Sequence, residues 1–333
     1  MEKNRCIYNS DVTWKYCTTL ELLQTPYTII DWCTSYLKIM FLGIAGCAFY
    51  NILSGVLRGL GDAFSALVYL LVSTVINIIL DLLFVAKFGM GVNGVALATV
   101  IAQAVSAILC LIRLSKMKDL FDLNRKYLKW NGKYGKNIIR LGVPSGLTQA
   151  IFSMAMIIVQ SLTNSFGEMF IAANVIVMRV DGFAMLPNFS FGTAMTTYSG
   201  QNIGAAKNDR VTKGAKQGTL IAVLTTTFIT SLILIFGRQL MGIFTATTEL
   251  VDLSRRMMGI IAAGYIAMAV TQSLSGVMRG AGDTMTPMWI SLFTTIVVRV
   301  PVAYGIAHFT KSATFPNGRQ ECVFISLLCS WLI

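Results

Sequence analysis

Eight stretches of this sequence are long and apolar enough to cross a membrane as helices, and that property closes off most folds. A helix needs about 20 predominantly apolar residues to cross about 30 Å of hydrocarbon. Runs of that length stand at 35–57, 64–86, 92–114, 138–163, 170–199, 217–237, 255–279 and 286–307, and a ninth begins near Val323 and runs to Ile333. Only 13% of the residues are charged, against about 25% in soluble domains, so too few polar groups are present to cover a globular surface. A membrane barrel would alternate apolar and polar residues in segments of about ten, and these runs do not alternate. The expected fold is an all-α polytopic membrane protein with about eight full transmembrane helices and a partial ninth.

Other classes fall away in turn. Residues 1–34 carry charges without an apolar core behind them, so they read as a non-spanning segment rather than a signal peptide. The cysteines (Cys6, Cys17, Cys33, Cys47, Cys110, Cys322 and Cys329) are scattered with no CxxC pair, and His308 is the single histidine. They fit small apolar fillers, and no metal cluster or other cofactor is expected. No nucleophile–base pair or phosphate loop stands out, which argues against an enzyme. The formal net charge of +12 could point to nucleic acid, but its placement does not. Basic residues concentrate in 113–140 (from Arg113 to Arg140) and again at Lys207, Arg210, Lys213 and Lys216. They outnumber those on the opposite side: Lys87, Arg238, Arg255, Arg256, Lys311 and Arg319. The positive-inside rule then puts the 113–140 loop in the cytoplasm, with lipid headgroups as the partner of this charge and no nucleic acid.

A repeat organises the chain. "LSGVLRGLGD" (Leu53 to Asp62) returns as "LSGVMRGAGD" (Leu274 to Asp283), identical at eight of ten positions. Each copy closes one long helix and opens the next. Arg58 and Arg279 suit a helix C-terminus, Gly61 and Gly282 permit a sharp turn, and Asp62 and Asp283 fit as N-caps. Gly55/Gly59 and Gly276/Gly280 are GxxxG pairs that can admit a close neighbour. An even number of helix steps separates the copies, so the repeat is parallel, a design in which two lobes flank a transport path. Three apolar runs precede the second copy within its unit (138–163, 170–199 and 217–237), and none precedes 35–57. By that symmetry, three helices are expected to be missing at the start and one to be incomplete at the end. The domains read as 1–34 (non-spanning), 35–114 (partial first lobe, three helices), 115–137 (basic cytoplasmic inter-lobe loop) and 138–333 (second lobe, five helices and part of a sixth).

Ionisable groups inside a bilayer are expensive, about 2.5–3.5 kcal/mol each on insertion scales, and so mark function by default. Four lie deep in the runs: Asp81, Arg179, Asp181 and Arg299. Asn77 and Asp81 are four apart and share a helix face; Thr99 follows the small-residue stretch "GVNGVALAT" on the next helix. A carboxylate, an amide and a hydroxyl make a hard-oxygen site for Na⁺, or a protonatable carboxylate with polar support. At the 221-residue offset of the repeat, Asn77 and Asp81 become Val298 and Val302, so the scaffold does not demand polarity there. The bland alternative is that Asp81 only pairs with Asn77. Arg179 and Asp181 are two apart and cannot face each other; Arg299 is the candidate partner of Asp181, with a structural ion pair and a coupling role both open. Met154, Met185 and Phe189, with Gln149 as a polar contact, are candidates for a substrate cavity able to repack around varied apolar cations. Ordinary helix packing explains any one of them as well.

The segments "LRGLGD", "NIILDLLFVAKFGMGVNGVALATVIAQ", "LGVPSGLTQ", "AMTTYSGQNIGA" and "MRGAGDTMTP" closely resemble the multidrug and toxic compound extrusion (MATE) family. The resemblance extends from about Leu22 to Ile333. It implies a MATE-type two-lobe fold and a monomer in the plasma membrane. It also implies exchange of organic cations or other drugs against Na⁺ or H⁺ as coupling ion by alternating access. Asn77, Asp81 and Thr99 match in type and spacing polar residues of that family's first-lobe cation site. Some members carry a glutamate eight residues after a proline in the second lobe; here that position is Phe152, counted from Pro144, so the corresponding second site is not expected. An inactive remnant of such a transporter and a related lipid or polysaccharide flippase are the alternatives.

Overall fold

A computed structural model describes residues 30–117, 131–312 and 316–333. Among them there is no strand, and eight helices are long and apolar enough to span a membrane. The chain divides into two compact units, 1–129 and 130–333. The first holds α1 (Ile30–Gly59), α2 (Ala63–Leu82) with a π-helical turn over Leu83–Lys87, and α3 (Gly91–Lys116). The second holds α4 (Gly132–Asn164), α5 (Glu168–Gly204), α6 (Asn208–Ile235), the short α7 (Gly237–Gly242) and α8 (Thr248–Gly280). It continues with α9 (Met285–Leu292), a π-helical stretch Phe293–Arg299, α10 (Val300–Phe309) and α11 (Cys322–Leu332).

The helices overrun the apolar runs. α1 is already helical at Ile30, ahead of the expected 35, with Asp31 in a first turn where the helix dipole favours an acid. α4 begins at Gly132, capped by the Asn131 side chain accepting from Lys133 N at 3.0 Å, so the end of the expected 115–137 loop is helix. Hydropathy reports only the part of a helix that must avoid water, whereas backbone hydrogen bonding continues past the hydrocarbon edge. Most of the expected 1–34 segment, and residues 118–130 of the basic loop with Lys118, Arg125, Lys126 and Lys129, lie outside the described residues.

The two copies of the repeat have the same backbone. Gly61 and Gly282 take φ of 92° and 89°, the left-handed region open to glycine. Asp62 N donates to Leu57 O at 2.9 Å and Asp283 N to Met278 O at 3.0 Å, the long closing bond of a glycine-terminated helix. The Asp62 carboxylate then accepts from Ser65 N at 3.1 Å, and that of Asp283 from Thr286 N at 3.0 Å. Asp62 has an addition: Arg113 Nε on α3 donates to it at 2.7 Å. That bond, with the amide of Ser65, holds its carboxyl below the usual carboxylate range.

Packing separates the copies. Helices in lipid gain little from burying apolar surface against one another, so close backbone approach decides which pairs associate. In the second copy, a methyl on Gly276 would run into Gly192 O, and one on Gly280 into Thr196 O, both on α5. This α5–α8 seam is the spine of the second unit, and its core collects Phe170, Val177, Met257, Ile261, Tyr265 and Phe324 around it. In the first copy, a methyl on Gly55 would meet nothing within 4 Å. There α1 uses Gly43 and Gly46 to approach Val100 and Ala104 of α3. α2 is pinned to α3 by Ser73 Oγ donating to Ala102 O at 2.9 Å.

Prolines sit inside two long helices, Pro144 in α4 and Pro187 in α5. Pro144 has no N–H to give the carbonyl four residues back, which is that of Arg140. The hydroxyl of Thr284 reaches that oxygen at 3.5 Å, so the turn after the second repeat serves the orphan the proline creates.

Candidate functional site

In the first unit, the Ser73–Ala102 bond and a longer one from Ser106 Oγ to Tyr69 O (3.4 Å) set an antiparallel register between α2 and α3. Carried along both helices, that register brings Asn77 level with Ala98, next to Thr99, and Asp81 level with Gly94. The small residues Gly94, Ala96 and Ala98 are buried here, which lets α3 lie close to the polar face of α2. Asp81 ends the regular part of α2; the π turn that follows is a feature frequent at functional sites.

The side chains are half-buried and unsatisfied. Asn77 Nδ2 and Asp81 Oδ1 are buried without a hydrogen-bond partner among the described residues. Asp81 is therefore not locked to the Asn77 amide, the bland reading of this pair. Thr99 Oγ1 donates to Val95 O at 2.9 Å, which uses its proton and leaves the oxygen able to accept. A further residue, Gln103, lies one turn along α3, and its Oε1 is also buried and unpartnered. Its signal was present in the sequence as the same four-residue stride that links Asn77 to Asp81. Among the described residues no group of three His, Cys, Asp or Glu is gathered, so a site here is one carboxylate with neutral oxygens. Such a set can take up a proton, or hold a hard monovalent cation.

In the second unit Asp181 and Arg299 lie within electrostatic reach of each other without touching. No ion pair joins Asp181 and Arg299; those among the described residues are Arg113–Asp62, Arg238–Asp252 and Arg256–Glu321. Asp181 Oδ1 instead accepts from the hydroxyl of Tyr265 on α8 at 2.8 Å. Tyr265 is fully buried, and its backbone oxygen accepts from Asn188 Nδ2 at 3.3 Å. Asn188 Oδ1 accepts in turn from Thr226 on α6 at 2.6 Å. A phenol held in a packed core offers a fixed donor, whereas the Arg299 guanidinium points to Met156 Sδ at 3.3 Å. Arg179, two residues from Asp181, is exposed. Arg179 thus stands apart, while Asp181 and Arg299 share a field without a direct bond. Tyr265→Phe is expected to cost about 1–3 kcal/mol by stranding the carboxylate, read as a melting temperature lower by several degrees in the purified protein. In an Asp181→Leu background the same change should cost much less; an equal cost in both would mean that the hydroxyl does not serve Asp181.

A cavity of about 280 Å³ opens within the second unit, lined by Gln149, Phe152, Phe189, Gln272 and Arg279 among others. Gln149 and Phe189 both line it. Met185 is packed in the core, 5% exposed, and Met154 is 60% exposed; neither lines the cavity. Arg279 is its one charged lining residue, and no acid lines it.

Comparison with known proteins follows the same outline. The MatE family pattern matches residues 17–83 and 144–305. The probable multidrug resistance protein YoeA of Bacillus subtilis is 31% identical over 299 residues, covering 88% of this chain and 65% of that protein. The probable multidrug resistance protein NorM of Thermotoga maritima is 28% identical over 280 residues, covering 82% and 60%. This chain thus spans less than two thirds of the length of either relative. The crystal structure of MATE in the bent conformation superposes with a TM-score of 0.85 at 22% identity, over 95% of this chain and 69% of the other; the fold is shared.

Proposed function

Because this chain belongs to the MatE family, we propose that it serves a multi-pass secondary transporter of the plasma membrane rather than an enzyme. It exports drug-like amphiphiles in exchange for Na⁺ or H⁺ by alternating access. The observation that carries the reading is the Asp81 carboxylate, half-buried in a membrane-spanning helix with no partner among the described residues. A carboxylate there is costly unless it holds a proton or a cation. A site that must be filled in one state and emptied in another ties the movement of that ion to the movement of the lobes. The relatives' names, which speak of multidrug resistance, support drugs as the cargo. The Lys- and Arg-rich 113–140 segment lies on the cytoplasmic side in this reading.

A second reading draws on the cavity of the second unit. Its one charged residue, Arg279, favours a neutral or anionic amphiphile over a cation, as a lipid-type flippase would require. Transport in reconstituted vesicles separates the two. With a cationic dye inside, either a Na⁺ or a pH gradient should accelerate efflux by about tenfold, the equivalent of about 1.4 kcal/mol, and an ionophore for that ion should remove the effect. Gradient-driven movement of an anionic dye alone would favour the second reading. No movement of either would leave an inactive remnant.

A further inference from the structure

Arg299 is among the largest fully buried side chains described, at 2% exposed, yet its Nε and Nη1 have no hydrogen-bond partner among the described residues. Its remaining contact, Met156 Sδ, is a weak acceptor. A guanidinium carries five donors and keeps its charge, and burying it without hydrogen-bonded partners is among the costliest arrangements a protein can adopt. Asp181 lies within electrostatic reach of it but forms no direct ion pair with it and is engaged by Tyr265.

The surroundings supply a space. Arg299 closes the π-helical stretch Phe293–Arg299, just before Pro301 removes a backbone donor. It lines a cavity of about 60 Å³ with Met156, Gln160, Asn174 and Phe324. That volume holds about two water molecules at about 30 Å³ each, far less than the roughly 300 Å³ or more of a drug pocket. No carboxylate lines it. Asn174 Oδ1 is buried there without a partner, and a half-turn of that amide replaces the oxygen with a second donor. We propose that this cavity binds a small monovalent anion of halide size, received by Arg299 Nε and Nη1 and by the Asn174 amide. Water would satisfy the donors but leave the charge with only the longer-range field of Asp181 to offset it. The anion would join α4, α5, α11 and the π-helical stretch, and so stabilise the second unit independently of Asp81.

The test uses the purified full chain at constant Na⁺ and ionic strength, with chloride replacing gluconate, an anion too large for the cavity. Chloride at about ten times its dissociation constant should raise the melting temperature by about 3 °C. Arg299→Met should abolish that rise. Crystals of the unaltered protein grown in bromide should show an anomalous peak within about 3.5 Å of Arg299 Nε, a result that does not depend on the variant folding. A rise of equal size in Arg299→Met, or no rise together with no bromide peak, would mean that the cavity holds only water and would overturn the proposal.

Discussion

Asp81→Asn is expected to remove ion-driven efflux while leaving the protein folded and inserted. Asparagine keeps the shape of the side chain and loses the property the proposed mechanism uses: it can neither carry a proton nor neutralise a bound cation. Loss of coupling should lower gradient-driven efflux at least about tenfold, or about 1.4 kcal/mol. Passive leak and the amount of protein in the membrane should not change. Stability should hold or rise, because an amide is cheaper to bury than a carboxylate with no partner among the described residues. Gln103→Leu, which removes one neutral oxygen from the same pair of helices, should weaken coupling less and keep it detectable. Unchanged gradient-driven efflux in Asp81→Asn would place the coupling ion elsewhere, with Asp181 the next acid to examine.

The same substitution in the two copies of the repeat should have opposite effects. Gly276→Ala puts a methyl against the backbone oxygen of Gly192 on α5, and Gly280→Ala puts one against that of Thr196. Backbone at a helix–helix seam cannot rotate away as a side chain would, so overpacking by about 3 kcal/mol or more is expected for either change. At the matching position Gly55 an added methyl meets nothing within 4 Å. Removing a helical glycine there is worth about 0.5–1 kcal/mol in favour of the fold. Thermal melting of the purified variants should therefore show a large loss for the second copy and a small gain for the first. Equal losses in both would show that the first pair also lies against a neighbour, such as residues outside those described.

Much of this molecule follows from chain chemistry alone. Apolar run length dictates the number and order of the spans, because a helix that fails to cross about 30 Å of hydrocarbon leaves backbone groups unsatisfied. The repeat dictates two identical turns, since the glycine conformation and the carboxylate cap are local and need no neighbour. The Asn77–Asp81 face was visible for the same reason: a four-residue stride on a helix is local geometry. Gln103 keeps that stride on the next helix, but the α2–α3 register sets it level with Val72, beyond Asn77 and away from Asp81.

Partner choice was not legible. The two GxxxG pairs are equivalent as text, and only the packing of α5 against α8 shows that the second lies against a neighbouring backbone. Asp181 and Arg299 are opposite charges at comparable depth, so charge counting pairs them. Tertiary structure instead gives the carboxylate to a phenol 84 positions along the chain and leaves the guanidinium facing a cavity. Met154 and Met185 share a composition with the residues that line the larger cavity, but helix rotation turns one outward and the other into the core. Sequence determines what is local or set by the bilayer, namely helix, span, cap and turn. Which side chains meet depends on how each helix is rotated and how far it slides against its neighbours. That is decided by contacts among all of them at once.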